Sequence, residues 1–556
     1  MSLPNTIDRI TRHRTLFAIL SGVLMALAFP TRPDHALAFV FGAPWAFVAL
    51  IPLFVTLVSC SRRQGWRLGW WAGFTFNLIG LYWVAFTQGG GPAVIAGTVC
   101  MAAYLGLFWG AFTLLLVAMA QRWGPRSLAA APVLWTASEY ALSLGELGFP
   151  WLLLGHSQGC YPAAIQYAEF TGVYGISFWI VVVNVLLYQF VSALGSDVSR
   201  RWAIVALVAV CAPILYGWTV LENSPSVDHP RQGDESATRV GEVRVGGVRV
   251  GLVQNNLGLA KWSPGGLEKS FESLERLSRS VVASQPQQPD LIVWPETALP
   301  CYLSLRPQCS RRVQNLVATL GTPILTGASN VEPSTGEPYN AAFLIRDASS
   351  PPVAYAKMHL VPFGERTPFR DSFAFLRDID WTALTGDLGP AEFARGRERT
   401  TFELPASGAT FAALICFESV FPDFVRNSVA EGAEFLVNIT NDSWFGRTAG
   451  PYQHAQLTVM RAVENRRAIA RCATSGISLF VDPYGRTFDR TPIFAEAVVS
   501  RELPRSRLLT FYTRHGDWFA QLSTAMVVVF AFLLVAGGRN KLLPGAGEAM
   551  RNSEDS

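Results

Sequence analysis

The stretch Ala412-Ala413-Leu414-Ile415-Cys416-Phe417-Glu418-Ser419 joins an apolar run to two reactive side chains. The run from Ala412 to Ile415 is short and apolar, which predicts a buried strand that ends at the thiol of Cys416 and the carboxylate of Glu418. A rigid sheet can present a nucleophile where a strand ends, and cysteine is a strong nucleophile once it is deprotonated. A free cysteine is more often a small core residue. This stretch alone therefore leaves both interpretations of Cys416 open.

The composition is that of a membrane protein. The chain has 556 residues, of which 50% are hydrophobic and only 15% are charged, and its formal net charge is +4. An average soluble domain has about 25% charged residues. Short basic clusters between apolar runs indicate membrane topology rather than nucleic-acid binding. The eight cysteines have no zinc-like spacing. A disulfide between Cys301 and Cys309 is left open.

Apolar runs predict about eight membrane spans, seven before residue 222 and one near the end of the chain. The first run is also consistent with a cleaved signal peptide. The fifth is the weakest because it contains Pro132 and Glu139. Glu139 is either a functional carboxylate inside the membrane or a residue near its interface. The predicted spans cover residues 15–29, 36–59, 68–86, 93–120, 128–144, 176–194, 203–221 and 519–537.

Arginine and lysine occur in every second loop between the predicted spans. Loops that carry positive charge remain on the cytoplasmic side of a membrane. Both termini are therefore expected inside, and residues from about 222 to 514 outside. The basic residues that decide this orientation are Arg62, Arg63, Arg67, Arg122, Arg126, Arg200, Arg201, Arg539 and Lys541.

The sequence between the last two spans predicts a separate α/β domain. Residues 223–240 are rich in Ser, Pro, Asp and Gly, as in a linker. Short β-branched runs then alternate with amphipathic helical patterns, one of them over residues 454–470, which is typical of a layered α/β domain with a buried sheet. The expected organisation is N-terminal transmembrane helices (1–221), a linker (222–240), an external domain (241–514), a C-terminal transmembrane helix (515–538) and a cytoplasmic tail (539–556).

Two further motifs in the external domain place reactive groups at predicted strand ends. The first is Trp-Pro-Glu-Thr-Ala at residues 294–298, which contains Glu296, and the second is Tyr-Ala-Lys-Met-His-Leu-Val-Pro-Phe-Gly-Glu at 355–365, which contains Lys357. Together with Cys416 they supply a carboxylate to accept a proton, an ammonium to stabilise an oxyanion and a thiol to form a thioester. Each group alone has a plain alternative as a surface or core residue.

The order of these motifs resembles the Glu-Lys-Cys signature of the nitrilase superfamily. Within that superfamily the chain is most similar to the bacterial apolipoprotein N-acyltransferase family. The segments Asn-Ile-Thr-Asn-Asp-Ser-Trp-Phe-Gly (438–446) and Tyr-Thr-Arg-His-Gly-Asp-Trp (512–518) also look like motifs of this family. The resemblance covers nearly the whole chain. It implies a membrane all-α bundle of about eight transmembrane helices with an inserted nitrilase-like α-β-β-α sandwich domain.

The resemblance also assigns roles to individual residues. It implies that Glu296 is the general base, Lys357 the stabiliser of the oxyanion and Cys416 the nucleophile. No metal or other cofactor is implied, and His359 is expected only to form hydrogen bonds. His454 lies at no metal-binding spacing from another ligand. Four further residues match accessory or substrate-binding positions: Glu365, Glu418, Trp444 and Trp262.

The implied reaction moves an acyl chain between two lipids. Cys416 would take the chain from a membrane phospholipid as a thioester, and the N-terminal α-amino group of a diacylglyceryl-cysteine apolipoprotein would then accept it. The implied site is the periplasmic side of a bacterial inner membrane, with the bilayer as a partner and no nucleic acid. Apolar side chains at residues 369–376, Phe373 and Phe375 among them, form either a lid that touches the membrane or a buried loop core.

Two other functions compete with this one. In a membrane-anchored amidase, water rather than an amine would resolve the thioester, and the three reactive groups alone do not exclude this. Hydrolysis of soluble amides needs no frame of eight spans, however. In a transporter or scaffold the external domain would only bind. That function predicts paired charges inside the spans, and apart from Glu139 and Glu169 the sequence supplies few.

Overall fold

The computed structural model describes residues 13–29, 42–225, 243–284, 286–331, 336–377, 379 and 392–539. A helical part precedes residue 226, and a part built on two sheets follows residue 242 and ends in two further helices. The helices of the first part are α1 (Arg14–Leu27), α2 (Ile51–Leu57), α3 (Arg62–Gly80), α4 (Gly91–Trp123), α5 (Ala131–Leu142), α6 (Pro162–Ile165), α7 (Ala168–Ser192) and α8 (Val198–Asn223). Short 3₁₀ turns at Ala43–Phe47, Tyr82–Phe86, Pro125–Ala130, Pro150–Leu152 and Leu154–Gln158 lie between these helices.

Four helices in the described ranges are long and apolar enough to cross a membrane: Gly91–Trp123, Ala168–Ser192, Val198–Asn223 and Trp518–Ala536. The expected number of eight is not confirmed. A span needs about 20 residues, whereas α1 and α5, at the predicted spans 15–29 and 128–144, have 14 and 12 residues. The predicted span 68–86 becomes α3 followed by a separate 3₁₀ turn. The predicted span 36–59 lies partly outside the described residues.

The helix α7 is interrupted near its start by Gly172, whose φ is +63°. A Cβ atom at this position would lie 2.6 Å from the ring of Tyr512. Only glycine therefore permits both this backbone conformation and this approach. Through this contact the beginning of α7 packs against Tyr512, in the segment that follows β13.

The second part contains two mixed sheets. Their strands are β1 (Val243–Gln254), β2 (Leu291–Val293), β3 (Leu299–Tyr302), β4 (Ile324–Val331), β5 (Pro338–Ile345), β6 (Val353–Ala356), β7 (Thr401–Glu403), β8 (Thr410–Ile415), β9 (Phe435–Thr440), β10 (Ile469–Ala473), β11 (Leu479–Val481), β12 (Thr487–Phe488) and β13 (Ala497–Ser506). The first sheet has the order β13-β1-β2-β4-β5-β6, with β3 paired to β4, and the second has the order β12-β11-β10-β9-β8-β7. The centre of each sheet is formed by parallel strand pairs: β1–β2 and β2–β4 in the first sheet, and β8–β9 and β9–β10 in the second.

Helices cover the outer face of each sheet. On the first sheet lie α9 (Gly266–Ala283) and α10 (Pro307–Leu320), and on the second lie α11 (Pro422–Ala430) and α12 (Gly450–Asn465). Strand residues alternate between two cores: Leu252 of β1 faces the second sheet, whereas Val253 packs with α9. The layers are therefore α-β-β-α. The chain then continues through α13 (Phe511–His515) into α14 (Trp518–Arg539).

The structure differs from the sequence-based expectation at a few points. The helix predicted over 454–470 is α12, which ends at Asn465 because Arg466 adopts a left-handed conformation with φ +48°, and β10 follows. Cys301 and Cys309 are both buried and are present as free thiols. Most of the predicted linker and cytoplasmic tail (226–242 and 540–556) lies outside the described residues.

Candidate active site

Three strand ends bring the predicted reactive groups to one place between the sheets. In the first sheet, Glu296 follows β2 and Lys357 follows β6 directly, and in the second sheet Cys416 follows β8 directly. Glu296 is 5% exposed and Lys357 is fully buried. The carboxylate and the amine are therefore held in surroundings that exclude most water, and the thiol of the partly buried Cys416 lies at the end of an inner strand of the second sheet.

Lys357 lies between two carboxylates. Its Nζ is 3.2 Å from Oε1 of Glu296 and 2.9 Å from Oε1 of Glu365. The side-chain amide of Asn340 donates to the same oxygens, at 2.7 Å for Glu296 and 3.3 Å for Glu365. Burial opposes the charge on Lys357, but the two carboxylates outweigh it and raise the pKa of the amine above its ordinary value. Lys357 is therefore an ammonium group at neutral pH.

The second oxygen of Glu296 connects the first sheet to the second. Its Oε2 accepts a hydrogen bond of 2.8 Å from the backbone N–H of Asn441, which follows β9. The carboxylate thus has an amide, an ammonium and a backbone N–H around it, and its orientation is fixed from three directions. Because the group is already oriented, no free energy is needed to reorganise it when the reaction occurs.

Cys416 adopts a left-handed backbone conformation, with φ +53°, at the end of β8. Burial raises the pKa of Cys416 most, the charge of Glu296 raises it further, and Lys357 opposes both. The sulfur is therefore a thiol at neutral pH and needs a base when it attacks. Glu296 is the carboxylate whose charge acts on it most strongly.

Glu418 ties the Lys357 segment to the strand that carries Cys416. Its Oε1 accepts from the hydroxyl of Tyr355 at 2.6 Å and from the N–H of Met358 at 2.7 Å, and its Oε2 accepts from the N–H of Ile415 at 2.8 Å. Glu418 is fully buried. Burial raises its pKa to about 7, although these donors act in the opposite direction.

The two predicted tryptophans have different surroundings. The carbonyl of Trp444 accepts a hydrogen bond of 2.9 Å from the N–H of Gln88, in the loop between α3 and α4. Trp262 is 51% exposed and ends the 3₁₀ turn Gly258–Trp262. The structure thus places Glu296, Lys357, Cys416, Glu365 and Glu418 in one cluster, whereas the backbone of Trp444 bonds to the helical part and Trp262 lies on the surface.

Asn340 and Lys261 were not found by sequence analysis. Asn340 is a buried amide within the largely apolar strand β5. A polar residue inside an apolar run is visible in the sequence and could have marked this position. Lys261 is 2% exposed, and its Nζ lies 2.7 Å from Oγ1 of Thr297 and 3.4 Å from the carbonyl of Glu296. Burial lowers the pKa of Lys261 to about 7, against the effect of Glu296. Nothing in the local sequence distinguishes Lys261 from a solvated lysine.

His359 does not have the expected hydrogen-bonded side chain. Its ring packs against Phe421 and Phe424, with centroid distances of 4.5 and 4.7 Å. Its Nδ1 is buried and has no hydrogen-bond partner in the described part of the chain. Among all residues that the structure describes, there is no group of three or more His, Cys, Asp or Glu side chains placed to hold a metal ion.

Gln453 of α12 connects the site to the helical part. Its side-chain oxygen accepts from the indole N–H of Trp83 at 2.9 Å and of Trp151 at 3.0 Å, and its amide donates to the carbonyl of Gly80 at 3.0 Å. The ring of Trp151 stacks on Phe417, next to Cys416, at 6.4 Å between centroids. The residues around Cys416 are therefore supported by side chains from the helical part.

Comparison with known proteins matches both parts of the chain. Residues 21–186 match the model of the apolipoprotein N-acyltransferase N-terminal domain, and residues 249–511 match that of carbon-nitrogen hydrolases. The chain is 33% identical to the apolipoprotein N-acyltransferase of Chlorobaculum tepidum, over 96% of this chain and 98% of the relative. It is 34% identical to that of Geobacter metallireducens, over 95% and 96%.

Among solved structures, Saccharomyces cerevisiae Nit3, a member of branch 10 of the nitrilase superfamily, aligns with a TM-score of 0.36 and 18% identity, over 48% of this chain and 93% of Nit3. The identities to the bacterial relatives extend through the helical part and the two-sheet part alike. The chain belongs to the apolipoprotein N-acyltransferase family.

Proposed function

We propose that this protein transfers an acyl chain from a membrane phospholipid to the N-terminal α-amino group of a diacylglyceryl-cysteine apolipoprotein, through a thioester on Cys416. The observation that carries the proposal is the cluster of the buried Glu296 and Lys357 with the partly buried Cys416, next to side chains of the helical part of the chain. Its relatives over nearly the full length are named apolipoprotein N-acyltransferases.

In the first half-reaction Glu296 accepts the thiol proton while the sulfur of Cys416 attacks the ester carbonyl of the phospholipid. The oxyanion that develops is stabilised by the ammonium of Lys357, whose position between Glu296 and Glu365 is fixed before the reaction. Collapse of the intermediate returns the proton to the leaving alkoxide. The products are a Cys416 thioester and a lysophospholipid.

In the second half-reaction the α-amino group of the apolipoprotein attacks the thioester. Glu296 now removes a proton from the attacking amine, and the thiol of Cys416 is regenerated as the amide forms. Both substrates are confined to a bilayer, so anchoring the enzyme in the same bilayer raises their effective concentration at the site. The proposed location is the bacterial inner membrane, with the two-sheet domain, residues 241–514, on the periplasmic side.

An amidase that hydrolyses its thioester is the alternative, because the same three groups serve both reactions. The support from Gln453 and Trp151 favours the transferase, since a soluble substrate would require no contact between the site and an apolar helical part. The two functions differ in what removes the acyl group from Cys416.

Intact-mass analysis of the purified protein separates these functions. Incubation with phospholipid and no acceptor should add the mass of one acyl chain to the protein, and Cys416→Ala should remain unmodified. A diacylglyceryl-cysteine peptide should discharge the adduct much faster than buffer does. Equal discharge in buffer would identify the amidase. A folded wild-type protein that never acquires the adduct would refute the role of Cys416.

A further inference from the structure

Lys261 is a buried lysine that the proposed mechanism does not use, and its side chain ends beside the proposed base. It lies in the 3₁₀ turn Gly258–Trp262, between β1 and α9, and is 2% exposed. Its Nζ donates to Oγ1 of Thr297 at 2.7 Å and lies 3.4 Å from the carbonyl oxygen of Glu296. A buried amine is costly unless it forms hydrogen bonds. The donors of Lys261 are therefore directed at the turn that carries Glu296.

Thr297 is a strained residue of this turn. Its φ is +47°, in the left-handed region, which is rare for a β-branched residue. Such a conformation persists only where neighbouring groups hold it. The peptide group between Glu296 and Thr297 joins the base to the strained residue. Because Lys261 contacts both the oxygen of this peptide group and the side chain of Thr297, it is placed to hold the two together.

Gly327 of β4 supports the same peptide group from the other side. A Cβ atom at Gly327 would lie 2.5 Å from the nitrogen of Thr297 and 2.6 Å from Cα of Glu296. The N–H of Gly327 also donates to the carbonyl of Pro295 at 3.2 Å. The N–H and the C=O of a trans peptide group point in opposite directions. Gly327 and Lys261 therefore hold opposite edges of the peptide group, and the carboxylate of Glu296 projects from a fixed backbone.

The contacts of Lys261 do not depend on its charge. Burial lowers its pKa to about 7, so both the ammonium and the neutral amine are present near neutral pH. The ammonium has three N–H donors. The neutral amine keeps two of them, which are enough for Thr297 and for the carbonyl of Glu296.

The turn that carries Lys261 is attached to the second sheet. The N–H of Asn256, two residues before this turn, donates to the carbonyl of Thr474 at 2.9 Å, and Thr474 follows β10. The strand β10 belongs to the same sheet as β8, which ends at Cys416. Lys261 therefore reaches from a segment tied to the sheet of the thiol to the turn of the carboxylate.

We propose that Lys261 is a positioning residue for the reaction at Cys416: it holds the turn at Thr297 so that the carboxylate of Glu296 faces the thiol. The lysine touches neither the substrate nor the reacting atoms and acts through the backbone of Glu296. This inference rests on the proposed roles of Glu296 as the base and Cys416 as the nucleophile.

Two pairs of substitutions and one double variant isolate the contact between Lys261 and Thr297. Thr297→Val keeps the β-branched shape but removes the acceptor, whereas Thr297→Ser keeps the hydroxyl. Lys261→Met removes the buried amine and keeps an unbranched side chain, and Lys269→Met, which removes an exposed lysine on α9, is its control. The double variant Lys261→Met/Thr297→Val removes both partners, so that neither is left unpaired.

The measurement is single-turnover formation of the acyl adduct on Cys416, followed by intact mass at several phospholipid concentrations. Lys261→Met and Thr297→Val should each slow the maximal rate by about tenfold or more, the effect of losing a hydrogen bond that orients a reacting group. The double variant should be no slower than the slower single variant, because both substitutions remove the same interaction. Thr297→Ser should stay within about threefold of the wild type, and Lys269→Met should not change the rate. The phospholipid concentration for half-maximal rate should be unchanged in every variant, because Lys261 does not touch the lipid.

Alkylation of Cys416 by iodoacetamide shows whether the site stays closed in the variants. Its rate in Lys261→Met should remain near that of the wild type, because the charges of Glu296 and Lys357 stay in place. A loss of adduct formation together with much faster alkylation would attribute the loss to an opened site and overturn the positioning role.

Three further results would also overturn it: a wild-type maximal rate in Lys261→Met, an equal loss in Thr297→Ser and Thr297→Val, or losses that multiply in the double variant. A wild-type protein that forms no adduct would instead refute the proposed function.

Discussion

The carboxylate of Glu296 is joined to the backbone N–H of Asn441 by a hydrogen bond of 2.8 Å that crosses from the first sheet to the second. Glu296 belongs to the sheet that also carries Lys357, whereas Asn441 follows the strand beside the one that ends at Cys416. The bond fixes the distance between the proposed base and the proposed nucleophile. A small shift of one sheet relative to the other would therefore change this distance and with it the rate of acyl transfer.

Glu296→Gln should separate the reactivity of the thiol from catalysis. Loss of the base should reduce acyl transfer by about 10²–10⁴-fold. The negative charge of Glu296 raises the pKa of Cys416, so its removal lowers that pKa and increases the thiolate fraction. Alkylation of Cys416 by iodoacetamide at neutral pH should therefore become faster while transfer is lost. Glu365→Gln is the control, because it leaves the Glu296 charge in place, and it should change alkylation little.

Lys357→Met should change alkylation in the opposite direction. The ammonium lowers the pKa of Cys416, so its loss should leave less thiolate and slow the reaction with iodoacetamide. Acyl transfer should fall by about 10²-fold or more, because the oxyanion loses its charged partner. Lys269→Met removes an exposed lysine on α9 and should change neither rate. Faster alkylation in Lys357→Met would contradict the charge arrangement described above.

Gln453→Leu should weaken the packing of the helical part against the two-sheet part. The substitution leaves the indole N–H groups of Trp83 and Trp151 without their acceptor in a buried place, and each unsatisfied group costs about 1–3 kcal/mol. The unfolding temperature in detergent should drop, and acyl-adduct formation should slow because Trp151 supports Phe417. Gln456→Leu is the control on the same helix. This substitution removes the acceptor of the hydrogen bond from Cys160 and should have a smaller effect.

The sequence alone predicted the reactive groups because each stands in a local pattern. Cys416 and Lys357 directly follow short apolar strands, and such patterns are visible without knowledge of the fold. The contacts of Gln453 and His454 could not be predicted in this way. Gln453 meets Trp83 across 370 positions of the chain, and His454 lies beside the carbonyl of a residue 38 positions away.

The same distinction explains which part of the fold was predicted. The two-sheet domain follows local alternation of strands and helices, whereas the helix predicted over 454–470 ends earlier, at Asn465, because of the conformation of Arg466. In the helical part, an apolar run predicts burial but does not show whether the run forms one long helix or a shorter helix with 3₁₀ turns beside it. The region of the predicted span 128–144 forms the 12-residue helix α5, flanked by a 3₁₀ turn at Pro125–Ala130.

Phe373 and Phe375 are 53% and 63% exposed, as a lid that touches lipid would require. Their exposure disfavours the alternative that they form the core of a buried loop. Replacing both by aspartate should lower acyl-adduct formation from phospholipid vesicles by about tenfold, because charged side chains oppose contact with the bilayer. Phospholipid dispersed in detergent should be used nearly as well as by the wild type. Full activity of the double variant on vesicles would dispose of the lid.

His359 should make the stability of the protein depend on pH. Burial, aided by the charges of Arg395 and Arg399, lowers the pKa of His359 from 6.5 to about 4. Between these two values the unfolded chain binds a proton that the folded chain does not, so stability falls as the pH decreases through this window and is complete above it. The loss is about 3–4 kcal/mol once the whole window has been crossed, at about 1.36 kcal/mol for each pKa unit.

His359→Phe keeps an aromatic ring against Phe421 and Phe424 but cannot titrate. Because Nδ1 of the histidine has no hydrogen-bond partner among the described residues, the substitution should also remove the cost of burying an unpaired polar atom. The unfolding temperature of the variant should therefore equal or exceed that of the wild type at pH 8. Its advantage should grow as the pH is lowered to 5, since the titrations of all other groups are common to both proteins. A difference in unfolding temperature that is constant from pH 8 to pH 5 would show that His359 is protonated equally in the folded and unfolded states.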